Sequence, residues 1–212
     1  DANADTDWLS ELTRKALQTS HQVAISGGND RTQFYLSGGY MQQDGVIRNV
    51  TYKRYNLRSN LSHKINNRIH IDGNIALSYA YDRRSTGDGN IYSPWINALN
   101  APSDYPVFNS DGTYASLPGS LYNPLNLIEG QEQENKKYRA IINLKGTLNI
   151  LPGLDYTLSL NGDYDIMHEY GYFPSTSIQG QGDNGDVSDY RGFSFSQLME
   201  HNFTYSYSWK NV

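Results

Sequence analysis

Between residues 154 and 166 the chain alternates without a break. Leu154, Tyr156, Leu158, Leu160, Gly162, Tyr164 and Ile166 take every second place, between Asp155, Thr157, Ser159, Asn161, Asp163 and Asp165. Only an extended strand, with its period of two, separates these sets into an apolar and a polar face. The run is also longer than the roughly 9 to 11 residues with which a tilted strand crosses a bilayer. A strand that is apolar on one side and wet on the other, and of that length, is the unit from which a transmembrane β-barrel is written.

The pattern recurs. Strands are expected at about residues 21–27, 32–42, 53–65, 68–82, 137–150, 154–166 and 193–209. The fourth sets Ile69, Ile71, Gly73, Ile75, Leu77, Tyr79 and Tyr81 against Asp72, Asn74, Ala76, Ser78 and Ala80. The fifth sets Tyr138, Ala140, Ile142, Leu144, Gly146, Leu148 and Ile150 against Arg139, Asn143, Lys145, Thr147 and Asn149, with Ile141 as its one exception. The seventh runs to Trp209 through Phe203, Tyr205 and Tyr207. Ahead of them, residues 6–17 read as a short surface helix capped by Thr6 or Asp7, with Trp8, Leu9, Leu12 and Ala16 along one side.

Connections alternate in length. Gly28-Asn29-Asp30, Asn66-Asn67 and Pro152-Gly153 make tight turns. The connections after the fourth and sixth strands are long, and residues 43–52 make one of intermediate length. Short turns at one end and long loops at the other are the asymmetry of outer-membrane barrels.

Composition decides between this and other classes. The chain is only 37% hydrophobic, with a mean hydropathy of -0.67, yet it carries 18 Tyr, 19 Gly and 3 Trp. So many aromatics argue against disorder, and no apolar run approaches the 18 or so residues of a helical span. With no Cys, disulfides and thiolate metal sites are excluded. The 17 Lys and Arg are scattered, against 22 Asp and Glu, so nucleic acid is not an expected partner. Residue 1 is Asp and no leader pattern follows it, which reads as a mature, processed or excised chain.

Alternation also suits a soluble β-sandwich that binds carbohydrate, the competing class. Against it stand the strand lengths, the charges Asp72, Arg139, Lys145, Asp155 and Asp163 on the polar faces, and Tyr and Trp at strand ends, where an interfacial girdle belongs. A small complete pore is disfavoured because single-chain bacterial barrels have even strand numbers.

The residues also resemble a known family. Asp7-Trp8-Leu9, the run Val23-Ala24-Ile25-Ser26-Gly27-Gly28-Asn29, Thr32 with Tyr35, Ser37, Gly38 and Tyr40, Gly45-Val46-Ile47, Tyr52-Lys53-Arg54-Tyr55 and Arg58-Ser59-Asn60-Leu61 follow one another as in SusC/RagA-type TonB-dependent transporters. Tyr122-Asn123-Pro124-Leu125 is similar to a recurring element of that family. The resemblance implies an outer-membrane protein of Bacteroidota whose 22-stranded barrel holds an N-terminal plug. It further implies a SusD-like surface lipoprotein as partner, energy relayed by the TonB complex, and import of an oligosaccharide or peptide.

The fold class expected is therefore all-β, an antiparallel meander of about seven strands from a large transmembrane β-barrel with long extracellular loops. Residues 1–19 would form an extracellular loop with a short helix. Residues 20–212 would form part of the barrel, with plug and remaining strands absent. The expected role is nutrient import across the cell outer membrane, in contact with outer-membrane lipid, without covalent chemistry and without a cofactor.

Candidate sites are few. His21, His63, His70, His168 and His201 lack zinc-ligand spacing, and His168-Glu169 and Glu200-His201 are strand neighbours that point to opposite faces. Asp183, Asp186 and Asp189 offer hard oxygens for Ca²⁺, without EF-hand spacing, so a solvated loop is the simpler reading and no metal is expected. Residues 85–135 form the one loop long enough to require a function. Its Tyr92, Trp95, Tyr105, Tyr114 and Tyr122, with Phe108, sit among Asn and Asp in the mixture that stacks on sugar rings, and the same rings suit folding the loop on itself. Asp111-Gly112 is expected to make a hairpin tip within it.

Overall fold

A computed structural model describes residues 4–87 and 89–207. Its seven strands form one antiparallel sheet in the order of the chain. They are β1 (Gln18–Gly28), β2 (Thr32–Asp44), β3 (Thr51–Lys64), β4 (Ile69–Arg83), β5 (Glu132–Leu151), β6 (Leu154–Phe173) and β7 (Asp186–Tyr205). Two short helices, α1 (Trp8–Leu12) and α2 (Pro94–Asn100), lie at one end. The sheet does not close on itself: β1 and β7 are its edges.

Among the described residues no second layer covers this sheet, and that sets the energetics. Ile71, Ile75, Leu77, Leu144, Leu148 and Leu160 are all exposed in their strands. The buried apolar side chains, Trp8, Leu12, Ala98, Ala115, Leu125, Leu127 and Ile128, all lie outside the sheet. A sandwich hides its apolar face against an opposing sheet. Here that face is bare on a seven-stranded sheet, so the sandwich alternative falls and lipid is the solvent that suits it.

Register carries the two faces across the strands. Leu77 pairs with Leu57 and Ala140, Ile75 with Ile142, and Leu144 with Gly73 and Leu160. On the other face Asp72 pairs with Lys145, and Asn60, Asn74, Asn143 and Asn161 stand opposite one another. Ile141 falls on this polar face, opposite Ala76 and Asp163. The outward face is edged by aromatics, with Tyr40, Tyr55, Tyr79 and Tyr138 in register at ring separations of 4.9, 6.1 and 4.8 Å. Tyr156 and Phe203 meet at 5.0 Å nearer the other end.

The tight turns sit together at the end opposite the helices. Asn29 Oδ1 accepts from the N–H groups of Arg31 and Thr32, both at 2.9 Å, and Asn66 Oδ1 repeats the device with Arg68 and Ile69 at 2.8 and 2.9 Å. Gly153 turns the chain with φ 85°, where a Cβ would come within 2.4 Å of the Ser206 carbonyl oxygen.

Three expectations are corrected. The first helix covers only Trp8–Leu12, so Ala16 is not on it. Thr13 bridges Ile47, the Arg14 N–H donates to the Val46 carbonyl at 2.8 Å, and the Asp44 N–H donates to the Leu17 carbonyl at 2.9 Å. Pairing with the β2–β3 connection thus outcompetes helix propensity. Next, β5, β6 and β7 reach 20 residues each, because ladder hydrogen bonds continue where apolar alternation has ended. Finally, residues 85–135 are not a structureless loop: they contain α2, and Glu132–Asn135 already belong to β5. Trp209 lies outside the described residues.

Candidate functional site: the lumen wall and its external cap

The polar face of the sheet is the wall that a barrel turns inward. Asn60, Asn74, Asn143 and Asn161 line a concavity of about 550 Å³ together with Asp72, Lys145 and Ser159. Nearer the long-loop end, Arg139 grips Asp163 with two bonds of 3.0 and 2.7 Å, and Lys137 meets Asp165 at 3.0 Å. Arg84 meets Glu169 at 2.7 Å. A face so rich in carboxamides and ion pairs needs water or a polar occupant.

At the external end the long loop folds into a cap with its own core. Ser93 N-caps α2 with Pro94 in its first turn. The α1 and α2 side chains Trp8, Leu12 and Ala98 pack with Leu125 and Ile128. Trp8 Nε1 also donates to the Pro102 carbonyl at 2.8 Å, and Thr6 Oγ1 to that of Tyr105 at 2.7 Å.

Two buried asparagines hold the cap together. Asn123 Nδ2 donates to the Val107 and Ala115 carbonyls at 2.9 and 3.2 Å, and its Oδ1 accepts from the Leu125 N–H at 3.1 Å. Asn97 Nδ2 donates to the Ile91 and Ser93 carbonyls, and its Oδ1 accepts from the Tyr122 N–H at 2.7 Å. Pro124 is fully buried. The Tyr122-Asn123-Pro124-Leu125 element is therefore a structural clamp.

The five ring candidates divide between two places. Trp95, Tyr105 and Tyr114 are half-buried against the cap core, and Tyr114 lies tilted against the exposed Phe108 at 4.9 Å. Tyr92 and Tyr122 form a separate pair at 5.1 Å, and loss of water, followed by the neighbouring Tyr92, pushes the Tyr122 hydroxyl pKa above its ordinary value. They do not converge on one platform. Phe108 and Tyr114 bridge a hairpin whose tip holds Asp111, and bonds from the Thr113 hydroxyl and N–H hold the Asp111 carboxyl below its ordinary 3.8.

Sequence reading did not single out Asn97, named Asn123 only within a recurring element, and placed Arg139 and Asp163 on the polar faces without pairing them. The Ser93-Pro94 capping signal was present for α2, but the long-range partners of both asparagines were not readable. Of the histidines, His70 Nε2 approaches both Asp72, at 3.0 Å, and Ser62, at 3.2 Å. Both lie on the same ring nitrogen, so the three cannot relay a proton from serine to carboxylate. Asp183, Asp186 and Asp189 are not brought together as a ligand set. Asp189 is bonded to His168 at 3.1 Å and Arg191 at 3.2 Å, while Asp186 opens β7 opposite Phe173.

No family model matches the chain. It is 29% identical over 97% of its length to TonB-dependent receptor P3 of Formosa agariphila. It is 24% identical over 89% of its length to TonB-dependent receptor SusC of Bacteroides thetaiotaomicron. In each case it spans 21% of the relative. Among solved structures it superposes on the RagAB peptide importer in the closed-closed state with a TM-score of 0.79 and 22% identity, over 99% of this chain and 24% of that one.

An open antiparallel sheet with a bare apolar face, a wet face and a folded external cap, similar over nearly its whole length to these proteins, resembles a stretch of the outer-membrane barrel of TonB-dependent receptors. SusC and the RagAB importer are among the proteins it resembles.

Proposed function

We propose that this chain is a sector of barrel wall in an importer that carries a glycan or peptide nutrient across the outer membrane. The work would be driven by the TonB complex through parts of the protein outside this chain, with a SusD-like lipoprotein seated over the external cap. The observation that carries the reading is the pairing of faces on one unlayered sheet. The apolar face suits lipid, and the face with Asn60, Asn74, Asn143 and Asn161 suits a wet passage. Nothing in this arrangement calls for covalent chemistry.

Removing residues 85–131 from the full-length protein tests the role of the cap. Uptake should be lost while the barrel still assembles in the outer membrane. Copurification of the lipoprotein then separates its two roles: loss assigns the cap to the partner, and retention assigns it to the nutrient. Full uptake by the shortened protein would sink the proposal. Competition by unlabelled oligosaccharide or peptide distinguishes the two nutrient classes.

A further inference from the structure

From the barrel reading of the outward face we infer that this wall carries a specific site for one phosphate-bearing membrane lipid on its extracellular half. Two independent features converge there. The first is a recess in the apolar face, about 540 Å³, lined by Tyr55, Leu57, Leu77, Tyr79, Tyr138 and Ala140. It exists because Ala140 is the small member of the row Leu57, Leu77, Ala140, while the row Tyr55, Tyr79, Tyr138 stands on its long-loop side and Tyr164 stands opposite Ala140 on β6. Such a recess fits an acyl chain laid along the strands.

The second feature is charge, one outward position further along the strands, about 7 Å away. There Lys53, Tyr81 and Lys136 are in register on β3, β4 and β5, which sets the two lysines about 10 Å apart on either side of the phenol. Lys136 Nζ lies 5.9 Å from the Tyr81 ring centre, and Lys53 has no carboxylate at ion-pair distance among the described residues. The next outward row pairs Arg83 with Glu134, where Glu134 accepts from the Tyr81 hydroxyl at 2.5 Å and meets Lys136 at 3.1 Å. That row also holds Asp44, which Arg14 meets at 3.7 Å, so Arg83 and Arg14 balance Glu134 and Asp44, and the two lysines leave the row beside the recess positive in a chain whose formal net charge is -5.

The order along the wall is thus acyl recess, cations, then neutral polar surface. It matches the order of tail, phosphate and sugar or polar headgroup in an anionic lipid whose tails point to the membrane centre. The long-loop end fixes the sense: cations lie on the extracellular side of the recess, so the lipid belongs to the outer leaflet. Basic residues at this level attract anionic headgroups, each with a modest contribution.

The test uses the full-length transporter that carries this chain, delipidated in detergent and titrated with diphosphoryl lipid A, with bound lipid read by native mass spectrometry. Stoichiometric binding is expected, with no displacement by millimolar inorganic phosphate. Lys53→Ala with Lys136→Ala should weaken it roughly thirtyfold. Dephosphorylated lipid A should bind the unaltered protein as weakly as the phosphorylated lipid binds that variant. Arg31→Ala with Arg68→Ala, which removes equal charge from the opposite turns, should leave binding unchanged. Ala140→Trp should fill the recess and reduce lipid binding with both lysines in place.

Unchanged affinity in the double lysine variant overturns the proposal, as does displacement of the lipid by free phosphate. If Ala140→Trp fails to assemble, the exposed lysine pair still decides.

Discussion

At the scale of the residue, what matters is which of two neighbours meets lipid. Leu160 faces outward between Leu144 and Met199, whereas Ser159 faces the polar side between Lys145 and Glu200. Leu160→Arg in the full-length protein should impair insertion, at about 2 to 4 kcal/mol near the midplane. Ser159→Arg should be tolerated. Equal damage from the two, measured as folded barrel in purified outer membranes, would contradict the assigned faces. Asp111 gives a second test, through pH. Its pKa is lowered by the Thr113 bonds in the folded state. Its contribution to the hairpin is therefore present above the ordinary value of 3.8 and is lost as pH falls through the lower folded value. Amide exchange at Thr113 should accelerate only in that acidic window, and exchange independent of pH-corrected chemistry there would remove the brace.

At the scale of the element, the external cap stands on side-chain bonds as much as on apolar burial. Asn123→Ala leaves the Ala115 carbonyl and the Leu125 N–H without their partner, a loss of about 1 to 3 kcal/mol for each buried group left unpaired, while the Val107 carbonyl keeps the Ala115 N–H at 3.0 Å. Limited proteolysis should then cut within residues 101–121 while the strands stay protected. An unchanged cleavage pattern would show that the carboxamide is dispensable. Trp95→Ala follows a different logic, because its ring is half-buried against the cap core. Cap stability should fall together with nutrient binding. A loss of binding with cleavage unchanged would instead mean that the ring touches the nutrient.

At the scale of the molecule, the sheet has open edges at β1 and β7 and an apolar face with nothing packed on it. An unpaired edge is not tolerated in lipid and invites pairing in water. Residues 1–212 expressed alone should aggregate or require detergent. A monodisperse, detergent-free monomer with a sharp thermal transition would require a second layer that this sheet does not have. Under the barrel reading proposed above, neighbouring strands would satisfy the two edges.

The sequence by itself determined the faces of the strands, because a period of two needs no knowledge of neighbours: Leu158 and Ser159 are assigned by alternation alone. It likewise determined the tight turns, since Asn29, Asn66 and Gly153 act within a few residues of themselves. Only tertiary structure decided what lay beyond local reach. Strand pairing took Thr13 to Ile47 and so ended α1 before Ala16, and ladder bonds carried β5 to β7 past the end of their alternation. Asn123 acquired its role from carbonyls 8 and 16 residues away. The recess beside Lys53 and Lys136 exists only because register lays three strands side by side, and no pattern within one strand encodes what its neighbour will present.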